Sequence, residues 1–174
     1  MTDENGVDEQ AEPRIAEPRI DAAQVEVALQ SLMDEENFAM AAVAGLIGAI
    51  VSAVIWAGIT VATGYQIGIV AIAVGFIVAT VVRISGKGLT PKFSILGAVL
   101  ALVGCVLGNF FTLVYFGAQE SGITIMELLP LINVAQIPAL MIDTFSGMDL
   151  VFYGIAVYEG YQLSLRKITG EDMA

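Results

Sequence analysis

The chain has 174 residues, of which 57% are hydrophobic and only 14% charged. Soluble domains carry about a quarter charged residues, so the excess apolar surface has to face lipid. The formal charge of −11 excludes the basic stripe of a nucleic-acid binder, and because the acids crowd into the first 36 residues it describes a tail, not a binding surface.

Residues 1–20 form a polar tail with a tandem repeat, AEPRI at 11–15 and again at 16–20. Two copies cannot build a solenoid, and a proline in each blocks a regular helix, so a disordered or polyproline-like leader is expected. Over 21–37, Val25, Leu29, Leu32 and Met33 recur at helical spacing behind Asp21, a capping residue. This predicts an amphipathic juxtamembrane helix. Its polar face lacks Lys and Arg, so packing on its own protein or a second copy is favoured over anionic lipid.

A charge-free run over 38–62 is long enough to cross a bilayer core of ~30 Å. It lies behind an acidic tail with no cationic n-region, which argues against a cleaved signal peptide. Gly45, Ala49, Ala53 and Ala57 fall four apart along it, a small-residue stripe that lets helices approach closely in lipid. After a short break at Thr63 to Gln66, a second span covers 67–83, with Gly75 on its own stripe. So short a turn requires antiparallel neighbours. Arg83, Lys87 and Lys92 then occupy a loop broken by Gly86, Gly88 and Pro91. The third span, 94–116, carries Gly97, Gly104 and Gly108, with Asn109 as its one strongly polar side chain, expected to hydrogen-bond across a helix interface.

Residues 124–145 are apolar but interrupted by Pro130, Asn133, Gln136 and Pro138. They read as a re-entrant or interfacial pair of half-helices, with a fifth span as the alternative. A last span over 149–165, with Asp149 as its cap, ends at Arg166 and Lys167, and 169–174 form a short tail. With four spans and a cytoplasmic N-terminus, every Lys and Arg falls on the cytoplasmic side, as the positive-inside rule asks; a fifth span breaks that agreement.

The hairpin GYQIGIVAIAVGF, the RISGKG loop, the segment ILGAVLALVGCVLGNFF and the closing DLVFYGIAVYEGYQLSLRKI together resemble a group of small bacterial multipass membrane proteins of uncharacterised function. Some of these carry a cysteine-rich, zinc-ribbon-like segment before the first span. The resemblance covers roughly residues 54–168. It implies bacterial origin and a shared membrane fold, supplies no activity, and carries over no metal site, since this tail has neither cysteine nor histidine.

There is no histidine and a single cysteine, Cys105, which excludes an intrachain disulfide, a Cys/His zinc site and imidazole-dependent catalysis. No cofactor or metal is expected. Arg83, Asn109 and Glu159 are the candidates for a polar pathway or an ion pair, Glu159 pairing with Arg83 or Arg166 where helices reach the cytoplasm. Tyr153, Tyr158 and Tyr161 read as interfacial anchors and donors of interhelical hydrogen bonds. Glu120, Glu127, Asp143 and Asp149 share the outer side without the spacing of a metal loop, and read as solvated acids.

The expected fold is therefore all-α, an integral membrane four-helix bundle with a short broken outer segment and a disordered N-terminal tail. The expected function is non-catalytic: an inner-membrane protein with both termini cytoplasmic, self-associating or binding a membrane partner through Gly45, Ala49, Ala53, Gly75, Gly97, Gly104 and Gly108. An oligomeric channel or transporter for an ion or small solute is the alternative.

Overall fold

The computed structural model describes residues 22–65 and 67–169; the AEPRI repeat, the Asp21 cap, Gln66 and the tail from 170 lie outside the described residues. The described chain is all-α, and its elements are α1 (Ala22–Asp34), α2 (Phe38–Thr63), α3 (Val70–Gly86), α4 (Pro91–Ser121), the short α5 (Ile125–Leu128), α6 (Ile137–Thr144) and α7 (Gly147–Leu163). Two 3-10 turns, Leu129–Leu131 and Val134–Gln136, separate α5 from α6.

Helix boundaries follow from capping chemistry. Asn37 caps α2, its side chain accepting from the Met40 amide at 2.9 Å, and Gly64 closes the helix in the left-handed region at φ 69°. Helix α4 starts with Pro91 in its first turn and continues past the expected Phe116 to Ser121, because Gln119 and Glu120 do not break a helix. Gly122, at φ 66°, does. Helix α3 starts at Val70, after a turn at 67–69 in which Gly68 lies flat against the Phe152 ring of α7. The cap of α7 is Ser146, not Asp149. Its hydroxyl accepts from the Asp149 amide while the Asp149 carboxylate takes the Ser146 amide at 2.8 Å, a reciprocal capping box.

Helices α3 and α4 sit side by side at the centre, each packed on both α2 and α7. The amino ends of α2 and α4 and the carboxyl ends of α3 and α7 therefore share one end of the bundle. The interior is built largely from small residues: Ala41, Ala49, Ala53, Ala71, Ala79, Ala101 and Ala156 are fully buried. Large apolar side chains point outward instead, among them Phe76, Ile95, Val99 and Leu150. This inverts the soluble pattern, as expected where the surrounding medium is lipid and close backbone contact holds helices together.

By length and composition α2 and α4 are long and apolar enough to cross a membrane, and the chain is membrane-embedded. Helix α3 is apolar but shorter, at 17 residues. Helices α6 and α7 meet at 109°, passing the same test only as one bent pair.

Several buried hydroxyls are satisfied within their own helix, whereas those of Thr60, Thr80 and Ser94 and the Trp56 indole N–H find no hydrogen-bond partner among the described residues. Ser52 donates to the Gly48 carbonyl at 2.7 Å and Thr112 to that of Gly108 at 2.9 Å, which keeps hydroxyls from facing lipid unpaired. Tyr153 makes the interhelical hydrogen bond expected of it, its hydroxyl donating to the Cys105 carbonyl of α4 at 3.1 Å. It does so from the core and not from the interface, and its ring meets Trp56 edge-on with centroids 6.1 Å apart. Tyr158 and Tyr161 do face outward. The Cys105 thiol is free and buried.

Candidate functional site

Seven of the small positions singled out in the sequence pack within one copy of the chain; Ala57, the last of the α2 stripe, is only half-buried. A Cβ on Gly45 would lie 2.7 Å from side-chain atoms of Leu100 and Val82, and one on Gly75 would lie 2.6 Å from the Ala156 carbonyl oxygen. Gly97 backs onto Gly160 and Ser164, Gly104 onto Val74 and Ala49, and Gly108 onto the Trp56 indole. Ala49 and Ala53 have no exposed surface. These seven residues join α2, α3, α4 and α7 to one another and present nothing to a second molecule, so the expected role in self-association does not fall to them.

The polar chemistry collects at the end where α2 and α4 begin and α3 and α7 finish. Its anchor is Glu36, whose side chain is only 7% exposed and forms an ion pair with Lys92 at 2.8 Å. The same carboxylate accepts from the amides of Leu89 at 2.7 Å and Thr90 at 3.1 Å, just ahead of the first turn of α4. Burial opposes ionisation of Glu36, but Lys92 and these two amides outweigh it and hold its pKa below the usual carboxylate value.

Glu35 bridges Arg166 at 2.8 Å and Lys87 at 3.3 Å. The Arg166 hydrogen bond, with help from Lys87, lowers its pKa. Two backbone bonds complete the clasp, from the Asn37 amide to the Gly86 carbonyl at 2.9 Å and from the Arg166 amide to the Gly88 carbonyl at 2.8 Å. The segment before α2, the α3–α4 loop and the chain after α7 are thereby tied into one knot.

The glycines of RISGKG are required where they stand. A Cβ on Gly86 would lie 2.6 Å from both Ala41 and the Phe93 ring, and Gly88 is in direct contact with that ring. Lys87, between them, caps α3 at φ 48°, the only positive φ at a described non-glycine residue. A side chain there costs about 1 kcal/mol relative to glycine. The lysine is thus held where glycine would be cheaper.

Most charges at this end follow the helix dipoles, with Glu36 at the amino ends of α2 and α4 and Arg83, Lys87, Arg166 and Lys167 at the carboxyl ends of α3 and α7. Lys92, in the first turn of α4, is the exception and is answered by Glu36. Those four cations and Ile84 line a cavity of about 420 Å³. Of the candidates for a polar pathway, Arg83 lies in this cavity, whereas Asn109 is buried on α4 and interacts with Tyr153. Glu159 forms no ion pair with Arg83 or Arg166: the Glu35 carboxylate takes Arg166, and the Glu159 Oε2 atom is buried without a partner. The expected pairing therefore belongs to Glu35, which sequence reasoning passed over. The available signal was an acidic pair directly before a span whose start shares an end with a cationic loop.

The opposite end is different in kind. Thr124 and Glu127 form a capping box within α5, where the Thr124 amide and hydroxyl hold the Glu127 pKa down. The Asn133 side chain accepts from the Ala135 amide at 3.1 Å and its carbonyl from the Gln136 amide at 2.8 Å, both local bonds. Among the described residues no group of three or more His, Cys, Asp or Glu is placed to hold a metal. Above α5, side chains of α2 and α4 leave a groove of about 470 Å³ walled by Val54, Ala57, Phe110, Phe111, Val114 and Leu129. Gly58 opens onto it with nothing within 4 Å of where its Cβ would be.

No protein-family model, curated protein or solved structure matches the chain.

Proposed function

We propose that this is a non-catalytic protein of the bacterial inner membrane in which α2, α3, α4 and α7 all cross the bilayer, with both termini cytoplasmic, and that it assembles with a second copy along the α2–α4 groove. The observation that carries the reading is the outward apolar surface, which α3 and α7 present as well, though more sparsely than α2: Phe76 and Ile84 on α3 with Ile69 just ahead of it, Leu150 and Val151 on α7. Seventeen residues reach ~25 Å, the lower limit for a span, and the apolar turn at 67–69 extends α3 toward the headgroups.

Assembly is supported by the groove. With the interior small residues consumed within the chain, Gly58 and Ala62 are an exposed small pair four apart on α2, beside an apolar trough able to take a helix. The resemblance of the GYQIG hairpin and the closing helix to small bacterial multipass proteins agrees with this reading.

The test is subunit number in lipid nanodiscs by single-molecule photobleaching. A dimer is expected for the native chain, and Gly58→Trp should shift it to monomer; a native monomer would overturn the assembly. A channel or transporter is the second reading, favoured by the unpartnered Glu159 Oε2. Proteoliposome flux unaffected by Glu159→Gln would count against it.

A further inference from the structure

We propose that the cavity formed by Arg83, Lys87, Arg166 and Lys167 is a binding site for the phosphate headgroup of an anionic phospholipid. The argument begins with charge. The cavity is lined by four cations, and among the described residues Glu35 is the carboxylate that pairs with Lys87 and Arg166. Arg83 and Lys167 have no acid partner among the described residues.

Placement comes next. The cations are not distributed on a free surface: Lys87 is held in the left-handed region, and the Arg166 backbone is tied to Gly88 while its guanidinium is braced by Glu35. A preorganised pair of guanidinium and ammonium groups suits phosphate oxygens, which accept several charge-assisted hydrogen bonds at once.

The surroundings select a lipid as the source of that phosphate. Ile84, which lines the cavity, is 68% exposed, and Ile168 beside Lys167 is also exposed. A site with cations inside and aliphatic side chains at its mouth, at the end of an apolar bundle, accommodates a headgroup with its acyl chains lying along α3. Basic pockets between membrane helices on the cytoplasmic side hold anionic headgroups in this manner.

The site rests on the membrane-embedded reading above and is independent of assembly at the groove. To test it, the full chain is reconstituted in nanodiscs of phosphatidylcholine and phosphatidylglycerol in equal amounts, and lipids retained after release are counted by native mass spectrometry. Phosphatidylglycerol should be enriched on the native chain. Arg83→Gln with Lys167→Gln removes the two cations that have no acid partner, so the fold should persist while enrichment falls about fivefold per cation. Arg83→Lys with Lys167→Arg should keep it.

Equal retention of both lipids by the native chain, or undiminished enrichment in the neutralised variant, would overturn the site. Displacement of the lipid by millimolar inorganic phosphate would assign the cavity to a soluble phosphate and overturn the lipid. Failure of the chain to enter the bilayer would bring down the membrane reading as well, whereas entry without headgroup preference would remove this site alone.

Discussion

The two ends of the bundle are built on opposite plans. At the clasp end, polar bonds reach far along the chain: Glu35 to Arg166, Glu36 to Thr90, Asn37 to Gly86. At the other end, Thr124 bonds Glu127, Asn133 bonds Ala135 and Ser146 bonds Asp149, each within three residues. Long-range bonds join elements and open only when the elements part. Local caps hold one turn each and can open singly at small free-energy cost. The difference teaches where this fold is fixed and where it is free to respond: the helices are registered at the clasp, and the broken segment over 124–145 is stabilised one turn at a time.

The largest expected effect comes from parting the elements directly. Gly97→Leu would drive a side chain into the Gly160 carbonyl and the Ser164 side chain and break the α4–α7 contact on which the clasp depends. It should lower stability by about 3 kcal/mol, read by chemical unfolding in mixed micelles. Native-like stability would mean that α4 and α7 do not approach so closely.

Glu36→Ala should be next. It leaves the Leu89 and Thr90 amides without their acceptor and Lys92 without its partner, a loss of about 2 kcal/mol. The same carboxylate predicts a pH dependence. Its folded pKa lies below the ordinary 4.5, so its contribution is fully present above about pH 4.5 and is lost as the pH falls through the depressed value. Glu36→Gln should flatten that acid limb; an unchanged limb would place the acid sensitivity elsewhere.

At the far end, Ser146→Ala should cost about 1 kcal/mol, the usual worth of a helix cap, leaving the clasp intact. The smallest effect is expected for Glu35→Gln, since Glu35 and Lys87 are about half exposed and solvent screens their attraction. If Ser146→Ala proved more damaging than Glu36→Ala, the contrast between the ends would be reversed.

Much of the architecture was legible in the sequence. Charge-free runs, small-residue stripes and the break at Gly64 mark the helices, because lipid and backbone geometry act residue by residue, whereas the stop of α4 at Gly122 was not read. The assignment of α7's cap to Ser146 was also within reach, since the serine stands three residues before an acid. What composition could not supply was pairing. Whether Gly104 faces a neighbour in the same chain or in another copy depends on how helices are arranged, and Gly104 alone satisfies both. The same holds for Arg166, for which the sequence suggested Glu159 and which pairs instead with Glu35, 131 residues away. Tyr153 was half legible for a related reason: an interhelical hydrogen bond was expected of it, but the sequence does not say whether it is made at the interface or, as with the Cys105 carbonyl, in the core.

The central claim, that all four bundle helices stand in lipid with their large apolar side chains outward, is tested most directly by spin labels placed one at a time at Val54, Phe76, Val99 and Leu150 in a Cys105→Ser background, in nanodiscs. All four labels should relax with dissolved oxygen far more than with a water-soluble nickel chelate. Labels at Phe76 and Leu150 that respond chiefly to the chelate, while those at Val54 and Val99 respond to oxygen, would show α3 and α7 outside the bilayer and contradict the four-span account.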